Sequence, residues 1–169
     1  MPNLKAMLKT QQVLDEIFAP SAIMRMTEHD LLEVVEIEES SGLSRWGWNA
    51  YYAELQGPNR RFMLVARARG TGNLKVVGYI VARFFAGEVH INNVAVREAF
   101  RRQGIGSALL NGVLQRARQE QAKVAFLEVR AGNLEAQALY QKSGFRPIAR
   151  RQNYYSTPPE DALVMSFTF

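Results

Sequence analysis

Between residues 91 and 113 the chain passes from an apolar run, through two arginines and a Gly-x-Gly turn, into a helical pattern. This order predicts a β-strand joined by a tight turn to the N-terminus of an α-helix, where free backbone N–H groups and the helix dipole favour an anion. The turn is not a P-loop, because no Gly-Lys-Ser/Thr sequence follows its glycines. It is not a dinucleotide fingerprint either, because Gly104 and Gly106 are followed by Ala108 and Leu109 rather than by a third glycine.

The turn sequence at residues 101–106 has the residue types that a phosphate cradle needs. Its glycines allow the backbone to approach a ligand closely, and Arg101 and Arg102 add attraction for an anion. On the motif alone, a solvated strand-to-helix turn remains the simpler interpretation. The flanking sequence has to decide between the two.

Hydrophobic periodicity and turn residues predict the elements on both sides of this turn. Thr27, with Asp30 three residues later, is typical of a helix N-cap, and Gly144 is typical of a helix end. We expect a polar loop at 156–161 and a hairpin turn at 69–73. The predicted strands are 22–26, 62–69, 75–85, 89–96, 123–130, 145–154 and 162–169, and the predicted helices follow 27, lie within 41–55, begin at 105 and span 133–143. The fold class is therefore α/β, with a mixed, mostly antiparallel sheet flanked by helices.

Composition excludes several kinds of chemistry. The chain has 169 residues and no cysteine, so disulfides, thiolate zinc sites and cysteine nucleophiles are absent. Its two histidines, His29 and His90, are far apart in sequence and lack ligand-like neighbours, so we expect no metal site and assign neither a catalytic role. The net charge of +5 suits either ordinary variation or an anionic partner.

The first 20 residues predict a helical extension that precedes a single domain at 21–169. Apolar residues recur near helical spacing up to Phe18, and Pro20 ends the run. We find no signal-peptide pattern and no apolar run of about 18 residues, so we expect a cytoplasmic protein without a membrane span.

The segment from residue 91 to 165 resembles the GNAT acetyltransferases. The turn after Val-Ala-Val is similar to their acetyl-coenzyme-A signature, Arg/Gln-x-x-Gly-x-Gly/Ala. The later segments LEVRAGNLEAQALYQKSGFRPIARRQNYY and EDALVM resemble the ribosomal-protein-alanine N-acetyltransferases of the RimI type. The region around Trp46 matches the family order loosely, and residues 1–20 have no counterpart. The resemblance implies the GNAT fold, whose element order is the one predicted above.

The resemblance also implies what the cradle binds, namely the pyrophosphate of acetyl-CoA. In the family, backbone amides of the turn hold the phosphates, and the preceding strand pairs with the pantetheine. An asparagine at the next helix start contacts the coenzyme, although Asn133 is also a plausible N-cap. The expected coenzyme residues are Val94, Ala95, Val96, Arg101, Arg102, Gln103, Gly104, Ile105, Gly106, Ser107 and Asn133.

Two residues are candidates for acid–base chemistry. Glu128 lies in the apolar run KVAFLEVR, where a carboxylate is costly unless it is paired or used, and an ion pair with Arg130 explains it equally well. Tyr140 on the following helix would be a core aromatic by default. The resemblance implies that Glu128 accepts a proton from the amine and that Tyr140 donates one to the leaving thiolate. It also implies an oxyanion donor among the backbone N–H groups of the splayed strand Val94–Val96.

The acceptor is predicted to be the α-amino group of a protein N-terminus, with Ala of a small ribosomal subunit protein as the implied substrate. An α-amine has a pKa of about 7.7–8.0, so a carboxylate base is adequate. Trp46 and Tyr154 are expected to frame the acceptor groove, although both could be core aromatics. Family members often carry Pro-Trp-Ser where this chain has Arg45-Trp46-Gly47.

Two other functions remain open from the sequence. One is acetylation of a lysine or a small-molecule amine within the same fold. The other is a non-catalytic module that binds coenzyme A or the ribosome. We expect no direct nucleic-acid readout and no membrane partner.

Overall fold

The structure is a computed structural model that describes residues 20–43, 45–69 and 73–169. Within these ranges, seven strands form one sheet in the order β1-β2-β3-β4-β5-β7-β6. They are β1 Pro20–Arg25, β2 Met63–Arg69, β3 Leu74–Phe85, β4 Glu88–Val96, β5 Val124–Arg130, β6 Arg146–Ser156 and β7 Pro159–Thr168. Only β4 and β5 pair in parallel, and the other neighbours are antiparallel. The predicted mixed, mostly antiparallel sheet is confirmed.

In the part of the chain that the structure describes, four α-helices cover the two faces of this sheet. They are α1 Leu31–Ser40, α2 Gly47–Gln56, α3 Ile105–Gln119 and α4 Leu134–Lys142. One hydrophobic core lies under α3 and α4, and a second lies under α1 and α2. Successive side chains along a strand point alternately toward the two cores. In β5, for example, Leu127 and Val129 are buried in the first core, whereas Glu128 faces the side of the second.

The helix boundaries follow local signals in the sequence. The Asp30 carboxylate accepts a hydrogen bond from the Thr27 backbone N–H at 2.8 Å, in the role that Glu or Gln usually takes in a capping box. Gly144, at φ +97°, follows α4 as predicted. The predicted helical extension at 1–20 lies almost wholly outside the described residues, and so does most of the hairpin turn predicted at 69–73.

The loop predicted at 156–161 is wrong in length. Strand β6 continues to Ser156 and β7 begins at Pro159, so two residues connect them. The polar residues that suggested a loop instead form cross-strand pairs at the end of a long hairpin, where Tyr155 pairs with Glu160. This hairpin carries Tyr154 and Tyr155 along the edge of the sheet.

The feature that creates the site is the divergence of β4 from β5. Their parallel pairing runs from Glu88 with Val124 to Ile91 with Leu127. Beyond this point β4 continues to Val96 on β3, while β5 continues to Arg130 on β7. The sheet is therefore open between the last residues of the two strands, as the splayed strand of the prediction requires.

Candidate active site

A cleft of about 700 Å³ lies at this opening, between the end of β4 and the N-terminal ends of α3 and α4. Apolar side chains, including Phe100 and Leu139, supply much of its wall, and the glycine turn forms one end. Ten of the eleven predicted coenzyme residues line it: Val94, Ala95, Val96, Arg101, Arg102, Gly104, Ile105, Gly106, Ser107 and Asn133. Gln103 lies outside this lining, and its side-chain amide donates to the Ala99 carbonyl at 3.3 Å.

The glycine turn presents its backbone to the cleft. Gly104 precedes α3 with φ +79°, and a Cβ atom placed there would meet nothing within 4 Å. The N–H groups at the start of α3 have no intrahelical acceptors, so they are free to bind an anion. Gly106 has a different role, because its Cβ would lie 3.1 Å from Leu139 Cδ2. Its small size lets α3 approach α4.

Two further side chains stabilise the ends of the cleft. The Arg101 Nε donates to the Val96 carbonyl at 3.0 Å, which joins the turn to the end of β4. Asn133 caps α4, since its side-chain oxygen accepts from the Ala136 N–H at 3.1 Å. The N-cap interpretation of Asn133 is therefore confirmed, and its cap leaves the residue in the cleft wall.

Tyr140 combines a buried ring with a place on the cleft. The ring packs 6.1 Å from Phe145 in the first core, and the residue also lines the cleft. Burial, followed by the proximity of Tyr155, raises the pKa of Tyr140 well above its ordinary value. The hydroxyl therefore keeps its proton near neutral pH and can act as a hydrogen-bond donor or an acid.

Glu128 is the first residue of β5 after the last parallel pair with β4. Its side chain is 25% exposed, so it is less buried than its apolar run suggested. The predicted alternative partner is wrong. The Glu128 Oε1 lies 3.0 Å from an Arg151 nitrogen of β6, whereas Arg130 pairs with Glu160 at 3.1 Å. Arg130 is drawn away because the β6–β7 hairpin folds over its end of β5.

Comparisons with known proteins assign this architecture. The model of the Acetyltransferase (GNAT) family matches residues 28–145. A Bacillus subtilis (strain 168) protein, provisionally named a [ribosomal protein bS18]-alanine N-acetyltransferase, is 33% identical over 88% of this chain and 95% of its own. The chain belongs to the GNAT acetyltransferase family.

Solved structures of GNAT relatives agree with this assignment. The ribosomal-protein-S18-alanine N-acetyltransferase from Escherichia coli has a TM-score of 0.72 and 29% identity over 87% of this chain and 92% of that one. Arabidopsis thaliana Naa50, in complex with the bisubstrate analogue CoA-Ac-MVNAL, has a TM-score of 0.74 and 28% identity over 88% and 98%. This GNAT protein is an acetyl-CoA-dependent N-acetyltransferase, and its open glycine turn and apolar cleft fit that co-substrate.

The second face of the GNAT sheet carries the residues expected to frame the acceptor. Trp46 packs partly against the second core, with its ring 5.4 Å from Tyr51 and 5.1 Å from the Arg83 guanidinium. It is therefore partly a core aromatic. Tyr154 is exposed on the β6–β7 hairpin, with the Arg151 guanidinium 5.3 Å from its ring. The core interpretation of Tyr154 is therefore wrong.

A buried polar network on this face was missed from the sequence. The Glu38 carboxylate is 1% exposed and accepts from the Tyr51 hydroxyl at 2.7 Å, from the Trp46 N–H at 2.8 Å and from the Gly47 N–H at 3.0 Å. Asn93 of β4 donates to the same Tyr51 hydroxyl at 2.9 Å. Glu38 follows Leu31 by seven positions and Val34 by four, so helical periodicity could have placed it on the buried face.

The tyrosines of this network keep their protons. Burial is the main cause that raises the pKa values of Tyr51 and Tyr79, whose hydroxyls lie 2.9 Å apart. A protonated Tyr51 donates to Glu38 and accepts from Asn93, so each of these polar groups is satisfied. The network thereby links the Trp46 turn to β4, the strand that lines the cleft.

In residues 20–43, 45–69 and 73–169, no group of three or more His, Asp or Glu side chains could hold a metal ion. Within the same ranges, no helix is long and apolar enough to cross a membrane.

Proposed function

We propose that the protein transfers the acetyl group of acetyl-CoA to the α-amino group of a protein N-terminus, with Ala of a small ribosomal subunit protein as the expected acceptor. The Bacillus and Escherichia relatives are named for alanine of the ribosomal protein bS18 or S18, which supports this choice. The Naa50 structure contains an analogue that joins CoA to a peptide, which supports a peptide acceptor in this fold. The cytoplasmic location stays a prediction.

One observation carries the mechanism. Glu128 lies immediately beyond the last β4–β5 pair, where the two strands diverge, and its side chain faces the side of the second core. Tyr140, a residue of α4, lines the cleft. These positions support the proposal that Glu128 is the base on the acceptor side and Tyr140 the acid on the coenzyme side.

The proposed reaction is a direct transfer. Glu128 takes a proton from the acceptor ammonium, and the neutral nitrogen forms a bond to the acetyl carbon as the carbon–sulfur bond breaks. Backbone N–H groups in Val94–Val96 stabilise the charge on the carbonyl oxygen. Tyr140, which is protonated near neutral pH and whose pKa burial raises further, supplies a proton to the leaving sulfur. The nitrogen loses its second proton to water as the amide forms, and Glu128 then releases its proton to solvent. The Tyr140 proton is restored from solvent, so the net products are the acetylated amine, free CoA and one proton, and no covalent enzyme intermediate is needed.

A panel assay with acetyl-CoA tests the acceptor class. We expect peptides with a free N-terminal Ala to be acetylated, and peptides with a blocked N-terminus and an internal Lys to react far more slowly, as should polyamines. Preference for Lys or a polyamine would replace the proposed acceptor with the alternative from the sequence. Absence of turnover with every amine, despite coenzyme binding, would favour a non-catalytic module.

The substitution Glu128→Gln tests the base. Turnover on the Ala peptide should fall by about 10²-fold or more at pH 7, because the variant cannot accept the proton. The deficit should shrink above about pH 8, where the α-amine is largely neutral before it binds. We would measure kcat from pH 6.5 to 9 together with the melting temperature.

Glu88→Gln is the matched control. Glu88 is an exposed carboxylate on the neighbouring strand β4, with His90 as its partner at 3.3 Å. Its replacement should leave the pH profile unchanged. A Glu128→Gln defect that is independent of pH and comes with lower stability would assign Glu128 a structural role through Arg151.

A further inference from the structure

Arg151 is brought to Glu128 by the register of three strands. Arg151 of β6 pairs with Ala162 of β7, and Glu128 of β5 pairs with Val164 of β7. Ala162 and Val164 are two residues apart and face the same side of the sheet. The two charged side chains therefore meet across β7, with 3.0 Å between the Arg151 Nη1 and the Glu128 Oε1.

A bulge in β6 places an acceptor-side aromatic beside the same guanidinium. Four residue steps of β6 separate Arg151 from Tyr155, whereas two steps of β7 separate their partners. Within this bulge Asn153 adopts φ +49°, and its N–H donates to the Asp161 carboxylate at 2.9 Å. The Tyr154 ring consequently lies 5.3 Å from the Arg151 guanidinium, so Arg151 contacts both the candidate base and an aromatic predicted to frame the acceptor.

Neighbouring arginines on the sheet have carboxylates of their own. Arg130 pairs with Glu160 at 3.1 Å, and Arg150 pairs with Asp161 at 2.7 Å. Arg151 instead pairs with the carboxylate that the mechanism requires for the substrate. A guanidinium and an α-ammonium are both cationic N–H donors, so they compete for the same oxygens.

We propose that the Arg151 guanidinium binds the Glu128 carboxylate in the place that the acceptor ammonium takes during the reaction. The acceptor then binds by displacing Arg151, and this competition sets the KM for the acceptor. This inference rests on the proposed function, because it assigns Glu128 to a cationic amine. After displacement Arg151 remains over the Tyr154 ring, at the side of the groove. Arg151 is thus a positioning residue that acts through Glu128.

The exposure of the pair makes this exchange feasible. The Arg151 and Glu128 side chains are 52% and 25% exposed, so water screens their attraction. Pairs of this kind contribute little, and their loss changes an equilibrium by about two- to fivefold. An acceptor can therefore displace Arg151, and removal of Arg151 should improve acceptor binding by that factor.

The first test compares Arg151→Gln with Arg150→Gln. Arg150 is the next residue of β6, faces the opposite side, is 60% exposed and pairs with Asp161. At saturating acetyl-CoA, Arg151→Gln should lower KM for an N-terminal Ala peptide about two- to fivefold, with kcat and the acetyl-CoA KM nearly unchanged. Arg150→Gln should change none of these. A raised or unchanged peptide KM in Arg151→Gln would overturn the inference, since it would show that Arg151 supports Tyr154 or has no role.

A second test needs no acetyl transfer. In Arg151→Ala the vacated site should bind ethylguanidinium, and an NMR titration at constant ionic strength measures this binding. The same cation should inhibit that variant competitively against the peptide. Wild type and the double variant Glu128→Gln/Arg151→Ala should bind ethylguanidinium at least several-fold more weakly than Arg151→Ala does. Equal binding by all three proteins would overturn the inference. Failure of wild type to acetylate any N-terminal peptide would instead reject the proposed function, and the titration would still decide whether Arg151 shields Glu128.

Discussion

Glu38→Gln is a sharp test of the buried network behind the acceptor groove. Glutamine keeps the length and shape of the side chain but replaces one acceptor oxygen with an NH₂ group. The remaining oxygen can keep the position of Oε1, where it accepts from Tyr51 and Trp46. The NH₂ group then faces the Gly47 N–H, which donates to Oε2 in the native protein at 3.0 Å. Two donors would oppose each other.

The expected loss of stability follows from the hydrogen bonds that the substitution removes. One charge-assisted hydrogen bond is lost from a side chain that is 1% exposed, and a backbone donor is left without its acceptor. Such a loss destabilises a protein by about 1.5–3 kcal/mol. For a chain of this size each kcal/mol lowers the melting temperature by about 2–4 °C, so we expect a decrease of roughly 3–12 °C.

The loss should also weaken acceptor binding. Glu38 holds the backbone N–H groups of Trp46 and Gly47 at the start of α2, where Gly47 has φ +73°. A looser turn moves Trp46, which is predicted to frame the acceptor. We expect the peptide KM to rise several-fold while the acetyl-CoA KM changes less. Calorimetric or fluorescence melting and steady-state kinetics measure the two effects.

Glu36→Gln controls for the loss of a negative charge from the same helix. Glu36 is 63% exposed and pairs at the surface with Arg97, so its replacement should change stability by less than about 0.5 kcal/mol. If Glu38→Gln is as stable as Glu36→Gln, the buried carboxylate makes no net contribution. Its three hydrogen bonds would then not stabilise the fold by the expected amount.

Three other substitutions test the cleft. Tyr140→Phe should lower kcat by about 10²-fold or more with little change in acetyl-CoA affinity, and near-normal kcat would return Tyr140 to a purely structural role. Because burial raises its pKa, wild-type kcat should show no decline from Tyr140 ionisation below about pH 10. Gly104→Val should abolish acetyl-CoA binding measured by calorimetry, because it strains φ +79° and fills the open side of the cradle. Gly106→Val should also lose coenzyme affinity, with added destabilisation from the Leu139 contact, and unchanged affinity in either folded glycine variant would contradict the cradle.

Much of the coenzyme side was predictable because its signals are local. Gly104 of the turn, the N-cap Asn133 and the Thr27–Asp30 pair act on residues within a few positions of themselves. Backbone conformation and helix capping depend on such near neighbours, so a sequence pattern can specify them. The strand and helix order followed from hydrophobic periodicity for the same reason.

The acceptor side was decided by long-range register. Arg130 is two residues from Glu128 on the same strand, yet Glu128 pairs with Arg151 of β6, which reaches it across β7. Arg130 pairs instead with Glu160 of the β6–β7 hairpin. Glu38 meets Asn93 through Tyr51, which joins α1, α2 and β4.

By itself, the sequence determined the elements, the glycine turn and, through resemblance, the family. Which charges meet was set only when strands distant in the chain came together, since pairing of side chains depends on register and face. The opening beside Glu128 likewise exists because β4 and β5 keep different partners beyond Ile91 and Leu127. Beyond these residues β4 makes its backbone hydrogen bonds with β3, and β5 makes them with β7. Which strands pair is therefore decided by the whole sheet.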